Sequence, residues 1–153
     1  MENELVTIRQ NLIGRPQKKP KRDHTRPTGF GLLRVSKGQK ARMVRILFYS
    51  RATGSFIDKQ HTKRLRVRNT TQNIWQTGNG KVSTCKKVKT HLILPELYHE
   101  RVIEHDFNVL EHPLGYDVIM GTDLMSSLGI NINFEQGEIQ WQDAAMPFKS
   151  CDA

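Results

Sequence analysis

Residues 47 to 57 read Leu47-Phe48-Tyr49-Ser50-Arg51-Ala52-Thr53-Gly54-Ser55-Phe56-Ile57. An apolar run, Arg42 to Phe48, ends here in small and polar residues, and a second apolar pair, Phe56-Ile57, follows at once. Upstream lies another apolar run, Phe30 to Val35, separated from the first by Ser36-Lys37-Gly38-Gln39. Two short apolar runs about a polar, glycine-containing break predict a β-hairpin. That hairpin delivers the chain into a turn at Tyr49, Ser50, Arg51, Ala52 and Thr53. Phe56 to about Leu65 then reads as a loop or a short helical segment.

A second block, Tyr116-Asp117-Val118-Ile119-Met120-Gly121-Thr122-Asp123-Leu124-Met125-Ser126-Ser127-Leu128-Gly129-Ile130, stands further along the chain. The order and spacing of the two blocks resemble the retropepsins, the single-domain aspartic proteases of long-terminal-repeat retrotransposon polyproteins. The resemblance covers roughly Phe30 to Lys149. It implies an all-β fold, a small closed barrel of the retropepsin-like acid protease type with one short helix (about Asp123 to Leu128). Ile119, Met120 and Gly121 would form the strand that threads past the active-site turn, and a closing hairpin would run from about Ile130 to Trp141.

Between the blocks, Ile74-Trp75-Gln76-Thr77 and Lys81-Val82-Ser83-Thr84 flank Gly78-Asn79-Gly80. Asn-Gly between alternating residues predicts a tight hairpin, because both residues tolerate positive φ. In the resembled family the hairpin here is the substrate flap, which would comprise Trp75, Thr77, Gly78, Asn79 and Gly80; Trp75 itself reads as a core residue. Lys87 to Leu94 and Val102 to Leu110 alternate like strands about a turn at Pro95.

The family's active-site turn is Asp-(Ser/Thr)-Gly-Ala. This chain keeps Ser50, Ala52, Thr53, Gly54, Ser55, Phe56 and Ile57 but has Tyr49 at the Asp position and Arg51 at the Gly position. A retropepsin is a homodimer in which two such Asp residues share one proton, since two close carboxylates cannot both ionise. One activates water and the other polarises the scissile carbonyl. A phenol titrates near ~10 and is a poor base at neutral pH. Loss of positioned acid–base chemistry typically costs ~10²–10⁴ in rate. Arg51 puts a charged side chain where backbone should approach backbone, so two copies would repel across a dimer axis. The helix junction departs as well, with Gly121-Thr122-Asp123 where the family commonly has Gly-Arg-(Asp/Asn). No intact catalytic residue is expected. Asp58 is expected to face solvent, Asp117 to be structural and Asp123 to cap the helix. Ser50 with His61 lacks an orienting acid and an oxyanion hole. Each active-site change is a one-nucleotide step, which fits relaxed selection.

Charge is unevenly placed. Residues 1–45 carry 12 basic and 3 acidic side chains, residues 46–89 carry 10 and 1, and residues 90–153 carry 2 and 11. The first 28 residues, with Pro16, Pro20 and Pro27 among basic residues, read as a flexible basic tail; residues 29–149 read as the protease-like domain and 150–153 as a C-terminal tail. A solvated basic run attracts phosphate with little regard to sequence. Cys85 and Cys151 make no C-x-x-C pattern, so neither a zinc site nor a disulfide framework is expected, and no cofactor is implied. No run approaches the ~18 apolar residues of a membrane span, and the N-terminus has no signal-peptide pattern, so an intracellular setting, cytoplasmic or nuclear, is expected. Three functions remain open. The first is a retrotransposon-derived, catalytically inactive protease-like domain, a polyprotein fragment whose ancestor processed peptide substrates and whose homodimer is weakened. The second is a nonspecific nucleic-acid-binding fragment acting through its tail. The third is an active aspartic endopeptidase.

Overall fold

The computed structural model describes residues 26–34, 40–78 and 80–149. The Ser36–Gln39 turn, Asn79, most of the N-terminal tail and the 150–153 tail lie outside the described residues.

Strands β1 (Thr28–Arg34) and β2 (Arg42–Phe48) pair antiparallel, with Thr28 opposite Leu47 and Leu33 opposite Arg42. Their alternation sends Leu33, Val44, Ile46 and Phe48 into the core. The first strand starts at Thr28, inside the stretch read as tail. Thr28 is buried, its hydroxyl donates to the Lys149 carbonyl, and the Lys149 N–H donates back to the Thr28 carbonyl at 2.8 Å. The two ends of the domain are thereby tied together.

Strand β3 (Phe56–Asp58) follows the Tyr49 turn and leads into a single 3₁₀ turn, Lys59–His61. Phe56–Asp58 was expected as loop or helix. Three residues are too short for a periodic signal, and the strand is fixed from outside by parallel pairing with distant residues, Ile57 facing Val109. Next come β4 (Val67–Thr77), β5 (Gly80–Leu94), β6 (Tyr98–Leu110) and β7 (Val118–Met120). The hairpin expected about Gly78 is formed, and its second strand runs without interruption into the segment read separately as Lys87 to Leu94.

Strand β7 inserts between β2, to which it is parallel, and β3, to which it is antiparallel. It is covered on both faces, so all three of its residues are apolar and buried. The order β1-β2-β7-β3-β6-β5 closes on itself through pairing of β5 with β1, where Leu33 faces Leu92. This is a closed six-stranded barrel. The fourth strand stands outside the circuit and, among the described residues, has β5 as its one strand partner.

One short helix, α1 (Thr122–Leu128), follows β7 and ends at Gly129, whose φ of 79° supplies the left-handed cap. Leu124 and Met125 turn into the core. Strands β8 (Ile130–Asn133), β9 (Glu138–Trp141) and β10 (Ala144–Pro147) form a second, three-stranded sheet. The first two are the expected closing hairpin. The third was not foreseen: it turns at Gln142, which takes a positive φ of 54° without being a favoured turn residue. Met146 is nevertheless buried from it.

Candidate functional site

The Tyr49 turn is held by the strand that threads past it. Tyr49 N–H donates to the Met120 carbonyl at 2.8 Å, and Ala52 N–H donates to the Tyr49 carbonyl at 3.2 Å, closing the turn. The Thr122 N–H and hydroxyl both donate to the Ala52 carbonyl, at 2.9 and 3.2 Å. A Cβ on Gly121 would overlap the Gly54 carbonyl oxygen and lie 2.7 Å from that of Ala52. Ile119, Met120 and Gly121 therefore cross the turn at backbone contact distance, which only glycine allows.

Ser55, fully buried, is the hub beneath. Its hydroxyl accepts from the Gly121 N–H at 2.9 Å and donates to Asp123 Oδ1 at 2.7 Å, while its carbonyl accepts from Asn108 N–H and Nδ2 at 3.0 Å. Partial burial works to raise the Asp123 pKa. Hydrogen bonds from His105, from Ser55 and from the Leu124 N–H, with the nearby His105 charge, outweigh it and hold the carboxyl below its ordinary range. Asp123 was expected as the helix N-cap; that position belongs to Gly121, and Asp123 sits in the first turn, bound to Ser55.

The hairpin of β4 and β5 lies on the turn. Thr53 N–H donates to the Gln76 carbonyl at 3.3 Å. Trp75 covers Gly54, where an added Cβ would come within 2.7 Å of the indole. Its ring meets Phe56 edge to face at 6.0 Å, and its N–H donates to the Thr84 hydroxyl at 2.8 Å. Trp75 is half-buried and packs on the small cluster of Ala52, Phe56, Leu110 and Ile119. It joins the hairpin to that cluster. Thr77 donates to the Gly80 carbonyl at 2.8 Å, and Gly78 stands over the Tyr49 hydroxyl.

Below the hairpin is a cleft of about 300 Å³ lined by Tyr49, Ser50 and Arg51 of the turn and by Thr77 of the hairpin. Arg26, Leu114, Tyr116 and Phe134 also line it, and Arg26 donates to the Tyr116 hydroxyl at 3.0 Å. Of the other turn residues, Ala52 is buried beneath and Thr53 is exposed and bound to the hairpin. Sequence reasoning missed Arg26, Leu114, Tyr116 and Phe134 as site residues. No local signal marks them, since only the closed barrel brings them to the turn. No Asp or Glu is among the residues lining the cleft.

The candidate carboxylates have other work. Asp58 was expected to face solvent; it is buried, and its side chain accepts from the Gln60 N–H at 3.2 Å to cap the 3₁₀ turn. Asp117 accepts from the Arg45 N–H at 2.7 Å and meets His61 Nε2 at 2.9 Å. His61 is buried against Asp117, whereas Ser50 lines the cleft. Among the described residues no cluster of three or more His, Cys, Asp or Glu side chains could hold a metal ion, and no helix is long and apolar enough to cross a membrane.

No protein-family model matches the sequence, and no curated protein matches it. Among solved structures, the retroviral protease-like domain of Ddi1 from Leishmania major is similar with 19% identity and a TM-score of 0.56, over 80% of this chain and 96% of that one. EIAV protease complexed with the inhibitor HBY-793 is similar with 22% identity and a TM-score of 0.47, over 68% of this chain and 88% of that one. With the closed six-stranded barrel, the threaded β7 and the short helix α1, the chain has the retropepsin-like fold.

Proposed function

We propose that this is a retrotransposon-derived, aspartic-protease-like domain that no longer cleaves peptides. One observation carries the reading. At the end of β2, where a catalytic carboxylate would stand, the cleft holds the Tyr49 phenol and the Arg51 side chain, and no carboxylate lines it. Asp58, Asp117 and Asp123 are each engaged in bonds that hold the fold, so none is free to substitute. A phenol neither shares a proton as a carboxylate pair does nor activates water at neutral pH. A family-like homodimer would also set two Arg51 side chains against each other, so the chain is read as acting in a weakened dimer or as one subunit.

The test is cleavage. The purified full-length chain, incubated with a peptide library, is expected to yield no new termini by mass spectrometry. The Tyr49→Asp, Arg51→Gly double reversion is expected to recover measurable, pepstatin-sensitive activity. Cleavage by the unaltered chain overturns the reading. A reverse transcriptase reading frame beside the coding sequence is the expected mark of origin.

A further inference from the structure

We infer that the cleft binds an extended acidic peptide, with Arg51 taking the carboxylate of an Asp or Glu side chain; this rests on reading the cleft as non-catalytic. Charge is the first argument. Arg51 has no ion-pair partner among the described residues, as Arg64 and Arg66 have none, but unlike those two surface cations it lines a concave site whose lining includes no acid. A cation beside low-dielectric walls attracts an anion more strongly than one on a convex surface.

The backbone supplies the second argument. The N–H groups of Ser50 and Arg51, the two central residues of the turn, are hydrogen-bonded to nothing among the described residues. Successive free N–H groups in a turn favour an anionic oxygen. Together with the guanidinium they offer a carboxylate several donors from one short segment, and bidentate pairing of this kind is among the stronger hydrogen bonds in proteins. The site is also rigid, since the Tyr49 turn is bonded to Met120 and Thr122. The Arg51 stem lies beneath Gly78, where an added Cβ would come within 3.3 Å of Cδ.

The rim decides between a peptide and a nucleic acid. Leu114 and Phe134, 44% and 59% exposed, border the cleft and call for apolar neighbours on either side of the acid. A nucleic-acid site needs a row of cations following a phosphate backbone, whereas this cleft concentrates its charge at one place.

The experiment titrates the full-length chain into a fluorescein-labelled hexapeptide, Ala-Phe-Glu-Leu-Ala-Ala, and its Gln analogue, reading anisotropy and recording peptide mass at the end. The acidic peptide is expected to bind at least about tenfold more tightly than the analogue. Arg51→Gln is expected to remove that difference, while Arg64→Gln, which deletes an exposed cation outside the cleft, is expected to change affinity less than about twofold. Amide resonances of Ser50 and Arg51 in the unaltered chain are expected to shift on titration, a readout that needs no variant. Equal loss in the two variants, unshifted turn amides, or displacement of the peptide by a mixed-sequence oligonucleotide but not by unlabelled acidic peptide overturns the assignment. A cleaved peptide overturns the non-catalytic reading instead, so the two failures are distinguishable.

Discussion

The Tyr49 hydroxyl lies directly beneath Gly78, so close that a Cβ on Gly78 would overlap it and would also stand 3.0 Å from Tyr49 Cζ. Tyr49 is thus the floor on which the hairpin rests. Gly78→Ala should cost about 1–3 kcal/mol by overpacking. Tyr49→Ala in the same chain empties the space and should recover most of it. The double-mutant cycle, read by urea unfolding, should give a coupling of about 1 kcal/mol or more. Additive changes would show that the hairpin simply lifts.

Gly121→Ala is expected to be the more damaging change. Its Cβ would meet two backbone carbonyls, of Gly54 and Ala52, neither of which can swing aside. A loss of about 3 kcal/mol or more follows, at the upper end for overpacking. Gly29→Ala is the control. There the nearest atom, 2.9 Å away, is the terminal methyl of Met146, which can move, so the cost should be about 1 kcal/mol or less. Thermal unfolding of the two variants side by side decides it; equal losses would mean that the crossing at Gly121 is looser than its contacts imply.

The sequence carried the barrel where one strand spells out its own face. Val44, Ile46 and Phe48 alternate with less buried neighbours, and Val118, Ile119 and Met120 form an uninterrupted apolar strand, covered on both sides. Gly78-Asn79-Gly80 announced the hairpin for a local reason, backbone freedom. Phe56–Asp58 and Ala144–Pro147 were illegible because neither has a period long enough to read. The first becomes a strand only when a distant partner, Val109 for Ile57, supplies hydrogen bonds, and the second only by folding back on the preceding strand, Met146 against Ile139, about a turn at Gln142. The cleft divides in the same way. Tyr49, Ser50 and Arg51 are adjacent in the chain and were found together. Arg26 and Phe134 reach them only after closure, and nothing near either residue in the sequence foretells it.

Asp123 gives the fold a pH dependence of definite sign. Its pKa is lower in the folded chain than in the unfolded one. Its stabilising effect is therefore present above the unfolded value, ~3.9, and is lost as the pH falls through the folded value. Asp123→Asn should lower the urea midpoint at pH 7, and the gap from the unaltered chain should narrow below about pH 4. The exposed side of the carboxylate keeps the effect modest. A gap that widens on acidification would reverse the assignment.

Trp75 and Thr84 make the last prediction, because their hydrogen bond couples the hairpin's two strands on the face that covers the turn. Thr84 is 3% exposed, and its hydroxyl accepts the indole N–H at 2.8 Å. Trp75→Phe keeps an aromatic ring near Phe56 but leaves that buried hydroxyl without its donor. Orphaning a buried polar group costs about 1–3 kcal/mol, more than the bond's net worth. Thr84→Val in the Trp75→Phe background removes the orphan and should recover part of the loss. In the unaltered background the same Thr84→Val should be destabilising, since it strands the indole N–H of a half-buried ring. The sign of the valine substitution should therefore depend on residue 75, read as a crossing of urea midpoints among the four proteins. A valine effect of the same sign and size in both backgrounds would mean that the bond contributes nothing beyond the ring's packing on Gly54.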